Sequence, residues 1–285
     1  MIRLAVRCRP DLAERVLADL VELAPGGVEE EAGDGWVEFA IYGAPGELPA
    51  LPDLEAVVGR GLVEVTSKEI PDDWADRWQD FHEPVLVGER ILVRPSWAAR
   101  PARDPAVPGR EAEETAGIVD LIVDPGQAFG TGAHPTTRMC LELLLEISDE
   151  GEAKGALADW GTGSGVLAIA AAKLGFAPVV ACDLERPALE AAAASAAANG
   201  VELELVRTDL RREQAPRATT VVANLTAPVL RDVAARIEEA PEQLICSGLL
   251  TSEVDEVAEA FGAAGLRECE RRASGDWAAL RLERP

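Results

Sequence analysis

Aromatic side chains make up only 4% of this chain and tyrosine occurs once, so its cores must be built mainly from Ala, Leu and Val. Basic residues are scarce. Against 51 Asp and Glu stand 27 Lys and Arg, a net charge of −24, and both residues 1–100 (−10) and the remainder (−14) are acidic. Such a surface repels phosphate backbones and anionic lipids and draws basic partners. That argues against nucleic acid as a direct substrate and for a basic protein; solubility alone is the plainer alternative. The five cysteines, Cys8, Cys140, Cys182, Cys246 and Cys269, form no C-x-x-C pair, and only two histidines accompany them. No metal site and no disulfide framework is therefore expected. With neither a basic-then-apolar leader nor an apolar run long enough to span a bilayer, the chain reads as cytoplasmic, with no membrane partner.

The rest of the composition is that of a globular protein, 48% hydrophobic and 27% charged. Its 285 residues have room for a catalytic domain and a smaller one. Residues 1–66 read as a small α/β unit. Strands are expected at Ile2–Arg7, Trp36–Tyr42 and Leu62–Thr66, and helices at Leu12–Leu23 and Leu54–Val58. Such a unit is too small for a large cleft and suits recognition. Residues 67–83 read as a linker with helical character carrying Trp74, Trp78 and Phe81 near one face, with His82 structural. A segment with strand tendency, Val85–Val93, leads to Trp97, and Ala98–Gly117 reads as a surface loop.

From Ile118 the pattern becomes strands alternating with helices. Strands are expected at Ala156–Trp160, Val179–Leu184, Leu203–Thr208, Thr220–Leu225 and Leu244–Ser247. Helices are expected at Thr136–Ile147, Val166–Leu174, Ala188–Ala198, Val229–Ala240 and Val254–Ala263. This succession specifies a mostly parallel sheet covered on both faces. Arg267–Arg272 and Trp277–Leu282, joined by Ser274-Gly275-Asp276, suggest a closing hairpin with one strand antiparallel.

The densest chemistry lies in Leu157–Gly175. A buried strand ends in Asp159, then Gly161, Gly163 and Gly165 precede a helix. Glycines let a turn approach a ligand closely, and the helix start offers free N–H groups. The G-x-G-x-G spacing differs from the dinucleotide fingerprint. A carboxylate at Asp159 suits a ligand with an ammonium group better than a pyrophosphate. Asp183, about 20 residues after the glycines, is placed to accept both hydroxyls of a ribose. A nucleoside with an amino-acid end satisfies both acids, and S-adenosylmethionine is such a molecule. Asp209 stands either near an adenine amine or as a cap on the next turn. Asn224 closes the fourth strand, to orient a methyl-accepting nitrogen or to form a turn. In the loop Asp124–Cys140, His134 is a proton acceptor or a loop organiser, and Thr136 or Thr137 a helix cap.

Taken with Asp73-Trp74, Trp78, Pro95-Ser96-Trp97, Asp124-Pro125-Gly126, Phe129-Gly130-Thr131-Gly132, His134-Pro135-Thr136-Thr137, Ala223-Asn224-Leu225 and Ser247-Gly248, this core resembles the PrmA proteins. These are bacterial methyltransferases of ribosomal protein number eleven of the large subunit. The resemblance spans most of the chain. Ala133 departs from it where another Thr is common, and Thr162 where Cys is frequent.

The resemblance implies a Rossmann-like seven-stranded class I methyltransferase sheet over residues 84–285, preceded by a small N-terminal α/β substrate-recognition domain (1–66) and a linker (67–83). It implies S-adenosylmethionine as cofactor, S-adenosylhomocysteine as product, and methylation of lysine and N-terminal amines of a basic ribosomal protein; a monomer is expected. Thr131, Asp159, Gly161, Gly163, Gly165, Asp183, Asp209 and Asn224 are the cofactor-binding residues expected, and Asn224 and His134 the catalytic ones. A lysine methyltransferase of another protein and a small-molecule methyltransferase on the same fold are the alternatives.

Overall fold

The computed structural model describes residues 2–13, 16, 29–33, 35–43, 64–69, 83–99, 117–125, 130, 132–150 and 155–285. Most of the expected helix Leu12–Leu23, the helix Leu54–Val58, residues 70–82 of the linker and residues 100–116 of the surface loop lie outside that set. The chain divides into two compact units, Met1–Phe81 and His82–Pro285.

In the first unit, strands β1 (Ile2–Cys8), β2 (Glu29–Gly33), β3 (Trp36–Gly43) and β4 (Glu64–Glu69) form an antiparallel sheet in the order β2-β3-β1-β4. Leu4, Val6, Val37 and Phe39 are buried. The acidic β2 was not among the expected strands, because Glu29-Glu30-Glu31 carries no apolar alternation. β4 runs to Glu69, three residues into the expected linker.

The second unit begins with a small sheet, β5 (Val85–Val87), β6 (Ile91–Arg94) and β7 (Val119–Ile122). The segment of strand tendency Val85–Val93 is thus a hairpin. Gly88 and Glu89 both take positive φ (55° and 56°), and Arg90 N–H bonds the Val87 carbonyl at 3.1 Å. This is the turn that matches the twist of paired strands. Arg94 grips Asp120 with two 2.8 Å bonds across β6 and β7. Asn199 pins β7 to the rest of the unit, accepting from Ile122 N–H at 2.9 Å and donating to its carbonyl at 2.6 Å.

The main sheet has seven strands: β8 (Leu157–Trp160), β9 (Val179–Asp183), β10 (Glu204–Arg207), β11 (Thr220–Asn224), β12 (Gln243–Leu250), β13 (Arg267–Ser274) and β14 (Trp277–Glu283). Their order is β10-β9-β8-β11-β12-β14-β13, and only β14 runs against its neighbours. β8 is buried along its whole length, as a central parallel strand must be, whereas edge strands β10 and β13 carry the charges. Helices α1 (Pro135–Glu150), α2 (Val166–Lys173) and α3 (Arg186–Asn199) build one apolar layer, and α4 (Ala227–Ala234) and α5 (Val254–Ala263) the other. α4 starts two residues before the expected Val229 and ends six before Ala240. Past Ala234 the Arg236 N–H bonds the Val233 carbonyl at 3.0 Å, and the Arg236 side chain reaches the Leu210 carbonyl at 2.6 Å. Among the described residues, no helix is long and apolar enough to cross a membrane.

Strand order reverses between β8 and β11. In such sheets the crevice outside the carboxyl ends of the two strands is the natural ligand site.

Candidate active site at the reversal between β8 and β11

Asp159, next to last in β8, is fully buried. Its Oδ2 accepts from the Thr162 hydroxyl at 2.6 Å and from Ala168 N–H, on the first turn of α2, at 3.2 Å. Its Oδ1 is buried without a hydrogen bond among the described residues. Burial pushes the carboxyl up to about 7, against the two bonds that favour its charged form.

The glycine turn is held from its neighbour strand. Gly161 and Thr162 N–H groups donate to the Cys182 carbonyl, each at 2.9 Å. Gly163 N–H donates to Asp183 Oδ2 at 3.0 Å, and Glu185 N–H to Asp183 Oδ1 at 3.0 Å. Gly161 has φ 74°, a left-handed conformation that favours glycine, and a Cβ there would meet the Leu225 side chain. Each Asp183 oxygen retains a lone pair beyond these bonds. Asp209, after β10, accepts from Arg211 N–H at 3.1 Å and pairs with Arg212 at 3.5 Å, which is the turn-capping geometry.

Asn224 ends β11 opposite Ser247 of β12. Its Nδ2 donates to Thr137 of α1 at 3.4 Å, and its Oδ1 is buried without a hydrogen bond among the described residues. Asp159 lies opposite Val222 in the parallel register, and Asn224 is two residues further on. Side chains two apart share a face. Two unsatisfied acceptor oxygens therefore lie on the α1 side of the sheet at the ends of adjacent strands.

The loop before α1 reaches the same place. Ser164 of the glycine turn donates to the Gly130 carbonyl at 2.7 Å. Thr131 lies outside the described residues. His134 Nδ1 lies 2.7 Å from the Thr136 hydroxyl and accepts Thr136 N–H at 3.3 Å, and its ring stands edge-on to Trp277 at 4.8 Å. The ring, rather than a threonine, caps α1. Burial lowers its pKa, and Nδ1 faces both the hydroxyl and the N–H of Thr136. That geometry supports the loop-organiser role. Ser164, Thr137 and Trp277 were not singled out as site residues by their sequence context. Ser164 had a signal in its place within the glycine run; Trp277 had none.

A model of the ribosomal protein L11 methyltransferase (PrmA) family matches residues 53–285. The chain belongs to that family. It is 35% identical, over an alignment of length 316, to the ribosomal protein L11 methyltransferase of Pelotomaculum thermopropionicum, covering 98% of this chain and 97% of that one. The protein of the same name from Symbiobacterium thermophilum is 32% identical over 275 residues, covering 94% and 85%. The crystal structure of ribosomal protein L11 methylase from Lactobacillus delbrueckii subsp. bulgaricus superposes with a TM-score of 0.58 at 26% identity, covering 72% of this chain and 98% of that one. The seven-stranded sheet is thus a class I methyltransferase sheet, and the protein is an S-adenosylmethionine-dependent methyltransferase. The residues present fit that cofactor. The orphaned Asp159 Oδ1 is an acceptor awaiting a donor, the Gly161–Gly165 turn opens at a helix start, and Asp183 stands at the end of β9.

Proposed function

We propose that this enzyme methylates amines, lysine side chains and the N-terminal amine, of ribosomal protein L11, the substrate for which its family is named. The observation that carries the reading is the pair of buried acceptor oxygens, Asp159 Oδ1 and Asn224 Oδ1, at the ends of β8 and β11. One suits the ammonium of the cofactor and the other an N–H of the accepting amine. Bound S-adenosylmethionine supplies an electrophilic methyl group on a sulfonium. The protein's part is to hold the ligands in line.

In this reading Asp183 takes the ribose hydroxyls, while Gly161, Gly163 and Gly165 line the amino-acid end with Thr131 reaching over from the loop. Asp209 stands toward the adenine with whatever acceptor capacity its turn leaves. The accepting amine must be neutral to attack, and the partly buried surroundings of Asn224 disfavour its ammonium form. His134 acts by shaping the loop. A cleft of about 420 Å³ opens beside it, between Ala133 and Arg138 on one side and Arg272 and Ser274 on the other, and offers the substrate chain a way in. The net charge of −24 favours a basic partner, and a ribosomal substrate places the reaction in the cytoplasm. Residues 1–66 are the proposed recognition domain, 67–83 the linker and 84–285 the methyltransferase domain, working as a monomer.

Intact mass measurement of ribosomal protein L11 after incubation with the enzyme and S-adenosylmethionine tests this. Mass steps of one methyl group, located to amines by fragmentation, are expected. An unmodified L11 alongside methylation of another protein or a small molecule overturns the substrate assignment.

A further inference from the structure

The Asn224 side chain has two ends of nearly equal size and opposite hydrogen-bonding character. An amine about to accept a methyl group presents N–H donors, so it is held by the amide oxygen and not by the amide nitrogen. The side chain must be held in place to do so.

On the far side of Asn224 lies Thr137, in the first turn of α1 and 87 residues away in sequence. It is fully buried, and its Oγ1 lies 3.4 Å from Asn224 Nδ2. A buried hydroxyl in a first helical turn is often a cap. Here His134 already accepts the N–H of Thr136, and the Thr137 hydroxyl meets a side chain from another element instead. The opposite end of the amide, Oδ1, is buried with no hydrogen bond among the described residues. Buried polar atoms are rarely left so without a ligand to complete them.

We propose that Thr137 is a positioning residue: accepting from Asn224 Nδ2 with its hydroxyl, it restrains the side chain while Oδ1 is presented to the accepting amine. The inference rests on the reading that Asn224 lies at the methyl-transfer point. Thr137 itself touches neither amine nor cofactor. Its placement also ties the loop to the chemistry, since one turn of α1 carries Thr136 bonded to His134 and Thr137 bonded to Asn224. A shift of α1 would therefore disturb the amide directly.

The test uses the full chain in single-turnover methylation of ribosomal protein L11 at saturating cofactor, with cofactor affinity measured separately by calorimetry. Thr137→Val keeps the shape and removes the hydroxyl; Thr137→Ser keeps the hydroxyl. Thr137→Val is expected to slow transfer about tenfold with cofactor affinity and substrate KM nearly unchanged, and Thr137→Ser to restore most of the rate. Adding Thr137→Val to Asn224→Ala should slow transfer no further, because the residue acts through the amide. Thr137→Ala serves the same comparison if the valine variant does not fold. A full rate in Thr137→Val, or a slow Thr137→Ser, overturns the proposal while leaving Asn224 in place. A full rate in Asn224→Ala overturns the reading of Asn224 and this inference with it.

Discussion

The Ser164 hydroxyl donates to the Gly130 carbonyl at 2.7 Å, joining segments 34 residues apart. Gly130 has φ 110°, and a Cβ there would fall 2.8 Å from the same hydroxyl oxygen. The loop before α1 is thus fitted to the glycine turn at one backbone position. Ser164→Ala should cost about 1 kcal/mol of cofactor binding, roughly fivefold in affinity, if the loop closes on the bound ligand. Gly130→Ala adds backbone strain and should weaken binding more. Titration calorimetry on both variants checks the order; equal affinities in all three proteins would mean the loop does not contribute.

Asp183 accepts one backbone N–H at each oxygen, from Gly163 and Glu185. These bonds orient its remaining lone pairs as well as the turn. Asp183→Ala should weaken S-adenosylmethionine binding by roughly 1–3 kcal/mol through loss of charge-assisted bonds. Asp183→Asn, with one acceptor oxygen left, should fall between. An alanine variant that folds and binds as the parent does would remove Asp183 from the ribose.

The parallel half of the fold is readable because its strands β8, β9 and β11 are largely buried runs carrying Asp159, Asp183 and Asn224 at or beside their carboxyl ends, polar residues that a buried strand does not carry idly. The glycine turn is equally plain. What the pattern hides are contacts made across distance. Thr137 meets Asn224 only once α1 lies on the sheet, and His134 becomes a cap only when Pro135, which has no N–H, begins the helix. β2 escapes because glutamates mask its pairing with β3, and the hairpin at Gly88 because Glu89 rarely adopts positive φ.

The first unit has its own sheet and buried residues, and the second its own two apolar layers. If recognition belongs to the first, a chain of residues 84–285 should bind S-adenosylmethionine with parental affinity yet methylate ribosomal protein L11 with kcat/KM reduced tenfold or more. A shortened enzyme that folds and keeps the parental kcat/KM assigns recognition to the methyltransferase domain.

Asp159 makes stability depend on pH in an unusual direction. Most carboxylates gain charged partners on folding and stabilise a protein as pH rises; Glu150, held low by its hydrogen bond to Arg281, is such a case. Asp159 is the reverse, because burial lifts its carboxyl from the usual range to about 7. Between those two values the folded chain holds a proton that the unfolded chain has released. Its contribution is therefore full below about pH 4, declines as pH rises, and is lost above about 7. Asp159→Asn removes the titration while keeping an oxygen for Thr162 and Ala168. Because other groups titrate in the same range, the informative quantity is the difference in Tm between variant and parent, measured without cofactor at each pH. That difference should move in the variant's favour from pH 5 to pH 8 and then stay level. A difference that is constant across this range would show that Asp159 is already charged in the folded protein at pH 5, with its Oδ1 satisfied by another donor.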